Sequence, residues 1–267
     1  MKGIGTAPAL RAEWLKFRTV RSTAWSLLLF AGVSVLFTSF VSAGSSTMGG
    51  SPDSPGDNDL VLESLSGIFF GQIAASVLAV LVITSEYATG MIRASLAADP
   101  RRRTLLGAKA AVVGTTVLVV GLATSTACFL IGQQLFRRGG FVYENGYPAV
   151  SLNDGEALRA VVGSGLYLGL AAIFALGVGA ILRHTAGAIT VVLAVLLGPV
   201  IAIGFLPESV AEYVEKGSLM AAGLALQQTV ERSDNIQLAP GPALAVIAAY
   251  AVGALVLALW LIARRDA

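Results

Sequence analysis

The chain has 267 residues, of which 55% are hydrophobic and 13% are charged, and its formal net charge is +2. Soluble domains carry about twice this charged fraction, so the composition argues against a soluble protein. Several uninterrupted apolar runs of about 20 residues are each long enough to cross a bilayer core. These runs are continuous and do not alternate apolar with polar residues, which argues against a β-barrel. The single cysteine, Cys128, excludes an intramolecular disulfide framework and a cysteine metal cluster.

We predict an all-α fold: a polytopic membrane protein with six transmembrane helices. Residues 1–21 are predicted to form an N-terminal cytoplasmic interfacial helix, and residues 22–263 the transmembrane domain. A cytoplasmic loop, 86–103, follows the second span, and an extracellular segment, 207–240, precedes the sixth. In that segment we expect one or two short helices that lie at the membrane surface or dip back into it. The predicted spans cover about 22–43, 63–85, 104–136, 157–182, 186–206 and 243–263.

The N-terminal segment Pro8–Arg21 has the pattern of a basic amphipathic helix. Leu10, Trp14 and Phe17 recur at helical spacing, and Val20 extends the series, while the basic residues lie mostly elsewhere on the helical wheel. Such a helix suits the membrane interface. The alternative is a solvated helix packed on a soluble neighbour, which the immediately following apolar run disfavours.

Glycine and proline mark three of the predicted spans. Gly67 and Gly71 have the GxxxG spacing that allows helices to approach closely, although simple packing within the chain explains the spacing as well. The fourth span contains several glycines, so we expect one of its sides to pack closely. In the fifth span, Pro199 frees a backbone carbonyl and predicts a kink.

The basic residues orient the six spans. Both termini fall on one side, together with the 86–103 loop and a turn at Arg183, and most of the 18 lysines and arginines lie there. The positive-inside rule places that side in the cytoplasm. The other side holds 44–59 and 137–156, which are predicted to be polar loops. We therefore expect a multi-pass protein of the plasma (inner) membrane with both termini cytoplasmic.

Several kinds of chemistry lack their sequence signals. No Asp, Glu, Lys, Arg or His lies in the central part of any predicted span; ion-coupled carriers usually keep an ionisable group there, so this class is weakened without being excluded. Neither HExxH nor GxxxxGK[ST] occurs, so we predict neither an intramembrane zinc protease nor a nucleotide site. We expect a non-catalytic chain with no catalytic residue, cofactor or metal of its own and no nucleic-acid partner.

The stretch Glu86–Lys109 concentrates polar residues between two long apolar runs. Its first part is predicted to be a short amphipathic helix lying flat under the membrane, which Asp99-Pro100 would stop. Gly90 permits close backbone approach. Glu86, at the end of the second span, is placed to accept hydrogen bonds from Arg93 or from an N-terminal arginine.

Three arginines complete this stretch. Arg101, Arg102 and Arg103 are predicted to begin the third span at the level of the lipid headgroups. That span is longer than a bilayer needs, so we expect it to tilt or to project. The alternative for the whole loop is an ordinary positive-inside connection whose arginines only fix the topology.

In combination, these features resemble the permease subunits of ABC-2 type transporters. Members carry an acid–aromatic–x–x–Gly element, an apolar-basic helix, a proline with basic residues and a Gly-x-Lys between helices 2 and 3. Here these elements are Glu86-Tyr87-Ala88-Thr89-Gly90, Met91-Ile92-Arg93, Leu96, Pro100-Arg101-Arg102-Arg103 and Gly107-Ala108-Lys109. The segment Glu13–Arg18 resembles the family's elbow helix, and Leu182–Gly187 resembles its turn between helices 4 and 5. The family's common Pro-x-Ser-Arg ending is replaced here by the three arginines.

The resemblance implies an ATP-driven exporter. A separate ABC ATP-binding subunit would bind ATP and Mg²⁺ and dock on a coupling helix, 86–98, and two permease chains, in a homodimer or heterodimer, would enclose the substrate path among membrane lipids. The residues implied in coupling are Glu86, Tyr87, Gly90, Met91, Arg93 and Leu96. Helices 1, 2 and 5 would line the dimer interface, with Gly67, Gly71 and Pro199 packing or hinging there. Two alternatives stay open: a non-transporting membrane anchor or regulatory subunit, and an ion-coupled carrier.

Overall fold

The computed structural model describes residues 6–47, 59–91, 102–141, 147, 150–230 and 238–264, and every regular element in these ranges is a helix. The prediction of an all-α chain with six spans is confirmed at this level, because α2, α4, α5, α6, α7 and α10 are each long and apolar enough to cross a membrane. In chain order the helices are α1 (Thr6–Thr19), α2 (Arg21–Thr47), α3 (Leu60–Ser64), α4 (Ile68–Ala88), α5 (Arg102–Arg138), α6 (Gly155–Leu182), α7 (Thr185–Ile203), α8 (Glu208–Gly217), α9 (Leu219–Gln227) and α10 (Pro240–Arg264).

The fourth span, α6, is the central helix of the bundle. It packs against α4, α5, α7, α9 and α10, and 72% of its most apolar stretch is buried. The same fraction is 22% for α2 and 17% for α7. These two spans therefore lie at the perimeter, where their apolar faces are open to lipid or to another membrane chain.

Glycines let the neighbours of α6 approach it from several sides. Gly165 and Gly169 face α5, while Gly177 and Gly179 face α10 and α4. A Cβ atom added at Gly177 would lie 2.9 Å from the backbone of Ala254. The expected close packing occurs on the side that faces α5, and it extends to two further neighbours, α4 and α10.

The predicted second span is divided by a turn into α3 and α4. The hydroxyl of Thr38 in α2 bridges the break: it donates to the carbonyl of Ser64 at 3.2 Å and accepts from the N–H of Gly67 at 3.0 Å. Gly67 lies directly on α2, where an added Cβ would come within 1.8 Å of the carbonyl oxygen of Ser34. The long span therefore begins at Ile68, later than predicted, because α2 supplies hydrogen bonds where the helix is interrupted.

At one end of the bundle, Asp59 connects α3 to the segment that follows α9. Its carboxylate accepts the N–H groups of Val61 and Leu62 in α3. It also accepts the N–H and hydroxyl of Thr229 and the N–H of Val230, at 2.6, 2.9 and 3.1 Å. Only 5% of Asp59 is exposed. The predicted polar loop 44–59 therefore ends in a buried N-cap residue, which local composition did not reveal because the donors Thr229 and Val230 lie far along the chain.

The predicted segment before the sixth span contains two short helices with different surroundings. None of the residues of α8 is buried, and its Lys216 pairs with Glu212 on the surface at 2.6 Å. In contrast, α9 is mostly buried and packs against α6 and α10. The segment thus combines an exposed helix with one that enters the bundle.

The opposite end of the bundle contains the end of α4 and the turn between α6 and α7, which the predicted topology places on the same side of the membrane. The guanidinium of Arg183, in the turn between α6 and α7, lies 5.3 Å from the ring centroid of Tyr87 at the end of α4. The hydroxyl of Thr185 donates to that of Thr84 at 2.9 Å. We call this the Glu86 end and the other the Asp59 end.

Substituting Gly67 tests the contact between α2 and α4. In Gly67→Ala the new Cβ would meet a backbone oxygen, so we expect the free energy of unfolding to fall by about 1–3 kcal/mol. The control is Gly32→Ala in α2, where nothing lies within 4 Å of an added Cβ; it should change stability by less than about 0.5 kcal/mol. Unfolding by SDS in mixed micelles measures both, and equal losses would contradict the proposed contact.

Candidate functional site

Four charged side chains, Glu13, Lys16, Glu86 and Lys109, form an ion cluster at the Glu86 end. Nζ of Lys109 donates to Oε2 of Glu13 at 2.5 Å and to Oε1 of Glu86 at 2.9 Å. Nζ of Lys16 donates to Oε1 of Glu13 at 3.0 Å and to Oε1 of Glu86 at 3.3 Å. Each lysine therefore bonds both acids, and the formal charges of the closed ring balance.

Three helices supply these side chains. Glu13 and Phe17 are buried on the same face of α1, and α1 packs mainly on α5. Glu86 lies in the last turn of α4, and Lys109 lies in the second turn of α5. The ion cluster consequently ties α1 to the helices on both sides of the 86–103 loop.

The partners of Glu86 differ from those expected. The predicted N-terminal arginine was wrong, because the donor from α1 is Lys16, and the second donor is Lys109. Arg93 lies outside the described residues. A signal for the pairing was present in the sequence: Glu13 precedes Phe17 on an otherwise apolar side, and Lys109 stands between alanines. Isolated charges of opposite sign among apolar neighbours are almost never buried unless they pair.

Three of the four charged side chains are buried, so each of them needs its oppositely charged partners in the ring. The side chains of Lys109, Glu13 and Glu86 are 3%, 4% and 8% exposed, whereas that of Lys16 is 35% exposed. Burial alone lowers the pKa of Lys16, but the hydrogen bonds and negative charges of Glu13 and Glu86 outweigh burial, so its pKa lies above the ordinary 10.5. Lys16 therefore stays an ammonium group throughout the neutral range.

One oxygen of the ion cluster lacks a donor. Oε2 of Glu86 is buried and accepts no hydrogen bond within the described part of the chain. Leaving a buried polar atom unsatisfied costs about 1–3 kcal/mol. Glu86 also lines a cavity of about 460 Å³ between α1, α2, α4 and α5. Because Oε2 itself has almost no accessible surface, other atoms of Glu86 form the wall of this cavity.

Four of the residues predicted to contact an ATPase lie around the end of α4, namely Glu86, Tyr87, Gly90 and Met91. Tyr87 is half-buried beneath Arg183, and 50% of Met91 is exposed. Gly90 has a φ of 71°, in the left-handed region that favours glycine, and an added Cβ there would meet nothing within 4 Å. Gly90 therefore ends α4 through its backbone conformation, and the close backbone approach that it permits stays a prediction.

The remaining residues predicted to act in coupling or in headgroup anchoring are Arg93, Leu96, Arg101, Arg102 and Arg103. Arg93, Leu96 and Arg101 lie outside the described residues, Arg102 begins α5, and Arg103 is exposed. The proposed contacts of these residues with an ATPase or with lipid headgroups stay predictions.

The predicted packing and hinge residues separate into two groups. Gly67 and Gly71 are buried, and a Cβ at Gly71 would lie 2.4 Å from Oγ of Ser34 in α2. Their close contact is therefore made within the chain, and this face is not open to a second copy. Pro199 lies inside α7, which continues through it to Ile203; a kink there stays a prediction.

Comparison with models of known protein families gave no match, and comparison with curated proteins gave none. Within the described residues, no group of three or more His, Cys, Asp or Glu side chains is arranged to hold a metal ion. The resemblance to ABC-2 permeases therefore stays a hypothesis, and it depends on the sequence elements described above.

Removing one lysine tests the ion cluster. In Lys109→Met two buried carboxylates lose a shared donor, so we expect a loss of about 3–5 kcal/mol in the free energy of unfolding. The matched control is Lys216→Met, which removes the exposed pair with Glu212 and should cost less than about 1 kcal/mol. SDS titration in mixed micelles compares the two variants. Similar losses would show that the ring does not hold the helices as described.

Proposed function

We propose that this chain is the permease subunit of an ATP-driven ABC-2 type exporter, forming half of the translocation path and coupling to a separate ATP-binding subunit. The ion cluster is the observation that supports this most directly. It joins α1 to the helices before and after the 86–103 loop, so a protein that moves this loop also moves α1, α4 and α5. The absence of GxxxxGK[ST] from the sequence fits a partner that binds ATP and Mg²⁺.

The exposed residues at the end of α4 form the described part of the proposed docking site. Thr89, Gly90 and Met91 are all exposed, and Met91 presents an apolar side chain where the positive-inside rule places the cytoplasm. Tyr87, Gly90 and Met91 would contact the ATPase together with Arg93 and Leu96. Glu86 would act from inside the bundle, by holding the end of α4 in position.

Helix α1 has the exposure expected of an elbow helix on the membrane surface. Ala9, Glu13 and Phe17 are buried against the bundle, whereas Leu10 and Trp14 are 38% and 47% exposed. Exposed Leu and Trp side chains beside the start of the first span suit the boundary between headgroups and acyl chains. This pattern favours the interfacial helix over a helix packed on a soluble neighbour.

The perimeter spans provide a face for a second permease chain. Both α2 and α7 contact α4, which supports a proposed dimer face made of these three helices, as the resemblance implies. Both perimeter spans are apolar and little buried. We propose that a second chain, in a homodimer or heterodimer, covers this face and encloses the substrate path. Exposed apolar residues on it include Leu28, Leu36, Phe40, Phe70 and Val191.

The direct test of coupling is to search the genes beside this one for an ATP-binding subunit that lacks membrane spans, and to produce the two chains together. We expect the two chains to copurify in mild detergent, and the permease to change the ATPase rate in nanodiscs. Met91→Glu should weaken the association at least tenfold, since about 1.4 kcal/mol suffices for that factor. The control is Val210→Glu, which changes a similarly exposed apolar residue at the Asp59 end.

Two results would oppose this function. If no such subunit binds the wild-type chain or responds to it, the chain is not the permease of an ATP-driven exporter. If the subunit binds but reconstituted vesicles export no candidate substrate, the membrane-anchor alternative is favoured.

Cysteine cross-linking tests the dimer face. The native Cys128 is buried, so a cysteine introduced on the surface is the reactive one. Leu36→Cys on α2 should give a cross-linked dimer in membranes, whereas Val256→Cys on α10 should give none; the two positions are 71% and 58% exposed. Mass spectrometry of the product distinguishes two copies from a heterodimer. Equal cross-linking at both positions, or none at Leu36, would contradict the assigned face.

A further inference from the structure

Another cavity, of about 430 Å³, lies at the Asp59 end of the bundle. Its walls come from α2, α3, α4, α6 and α9 and from the turn between α3 and α4. Most of its surface is apolar, with contributions from Leu62, Met220 and Leu224. Cavities that bind small molecules commonly measure about 300–1,000 Å³ and are mostly apolar, with a few polar groups that fix the orientation of the ligand. The size and lining of this cavity therefore suit a small organic molecule.

Three phenylalanine rings line the open part of this cavity. The ring centroids of Phe37 in α2 and Phe70 in α4 are 4.4 Å apart, and those of Phe69 and Phe70 are 5.1 Å apart, edge to face. All three residues keep part of their surface exposed, and Phe70 is 37% exposed. Aromatic rings prefer offset or edge-to-face contacts with other rings. The open part of the cavity therefore favours an aromatic group.

The enclosed part of the cavity contains two glutamines. Gln72 of α4 is 1% exposed and Gln227 of α9 is 3% exposed. The hydroxyl of Tyr167 in α6 donates to Oε1 of Gln72. Within the described part of the chain, Nε2 of Gln72 donates no hydrogen bond, and the side-chain amide of Gln227 makes none. A carboxamide carries two N–H donors and an acceptor oxygen, so these two residues hold donors and one acceptor that the protein leaves unused.

The unused amide atoms face the cavity. Oγ of Ser66, on another residue of the lining, also lacks a partner, but it has almost no accessible surface. Nε2 of Gln72 and the amide atoms of Gln227 are not enclosed in this way. Both glutamines line the cavity and are otherwise almost completely buried. The surface that their amide atoms keep is therefore part of the cavity wall, where a ligand can reach it.

Packing around Tyr167 holds this polar wall in place. The ring lies against Gly223 of α9, where an added Cβ would come within 2.7 Å of the ring atoms. From this position the hydroxyl of Tyr167 fixes the carboxamide of Gln72 on the neighbouring helix. The donor on Gln72 is thus oriented before a ligand arrives, and such preorganisation lowers the cost of binding.

The charges around the cavity favour an uncharged ligand. Among the described residues that line it, Glu63 is the one that carries a formal charge at neutral pH, and its Oε2 already accepts from the hydroxyl of Ser45 at 3.2 Å. An anionic ligand would find no lysine or arginine in this lining. A cationic ligand would have only an engaged carboxylate opposite it. Burying a charge without a partner is far more costly than burying a neutral polar group that is hydrogen-bonded.

We propose that this cavity binds an uncharged aromatic amide. The carbonyl of the ligand accepts from Nε2 of Gln72, and its N–H donates to the side-chain oxygen of Gln227. Its aromatic ring packs among Phe37, Phe69 and Phe70. An amide carries its acceptor and its donor on different atoms, so one planar group can bond both glutamines at once. All of these residues belong to one chain, so the site requires neither export, an ATP-binding subunit nor a second permease chain.

Three molecules of similar shape test the proposal. N-benzylbenzamide, benzyl benzoate and dibenzylamine each join two phenyl rings, through an amide, an ester and, at neutral pH, an ammonium group. Equilibrium binding of radiolabelled N-benzylbenzamide is measured on the purified full chain in nanodiscs. Protein-free nanodiscs correct for partition into the lipid, and the other two molecules are added as competitors.

We expect one saturable site for N-benzylbenzamide. Benzyl benzoate has no N–H and leaves the oxygen of Gln227 unpaired, so it should compete about tenfold more weakly, as the loss of one hydrogen bond to a buried acceptor gives. Dibenzylamine should compete more weakly than the amide. Equal competition by the ester, tighter binding of the ammonium compound, or no saturable binding of the amide would each overturn the proposal.

Two variants test the role of Gln227. Gln227→Leu removes the unused amide without breaking a hydrogen bond within the described part of the chain. It should abolish the preference for the amide over the ester and leave the affinity for benzyl benzoate unchanged. Gln228→Leu makes the same change at the next residue, which does not line the cavity, and should keep the preference. A preference retained in Gln227→Leu would refute the assigned contact.

A further pair of variants locates the ligand. Leu224→Trp narrows the cavity from α9, whereas Leu158→Trp adds the same side chain on α6 at a position that is 48% exposed and outside the cavity. Leu224→Trp should weaken binding of the amide and of the ester at least tenfold, and Leu158→Trp should weaken neither. Unchanged binding in Leu224→Trp would place the ligand elsewhere and refute this site.

Discussion

The structure depends on a ring of four charges, three of which are buried away from water. Because each lysine of the ion cluster bonds both glutamates, no member can move without stretching two ion pairs. Coulombic attraction between such groups is much stronger in a low-dielectric interior than in water, and the penalty for an unpaired charge rises with it. The ring therefore fixes the relative positions of α1, α4 and α5 more strictly than apolar contacts can. Helix–helix association in a bilayer gains little from hydrophobicity, which makes this constraint more important.

The two ends of the bundle are fastened by different kinds of polar contact. At the Glu86 end, side chains on three helices pair with one another. At the Asp59 end, a single carboxylate gathers donors from α3 and from the segment after α9, four of which are backbone N–H groups. Between the ends, Gly165, Gly169, Gly177 and Gly179 let neighbours pack closely on α6. Polar contacts thus set the alignment of the helices at their ends, and close packing holds them along their length.

The spans were predictable because hydropathy and bilayer thickness determine them almost alone. The division between α3 and α4 was not, since it depends on Thr38 in another helix. The amphipathic pattern of α1 was visible, but the pattern could not show that Glu13 lies on the buried face beside Phe17. Glu86 was identified from its position, whereas its donors were not, because Lys16 and Lys109 become its neighbours only when three helices pack. Local signals therefore predicted the elements, and contacts distant in sequence decided the site.

The position of the ion cluster also bears on the proposed coupling to an ATP-binding subunit. A force applied to the tip near Met91 reaches the spans through Glu86, because Glu86 is the last residue of α4 that is bonded to both α1 and α5. The same carboxylate has one oxygen occupied by these lysines and one that is not. In the proposed transporter, the stiffness of the link between the loop and the spans would therefore depend on how completely the four charges of the ion cluster are paired, because an unpaired buried charge destabilises the end of α4.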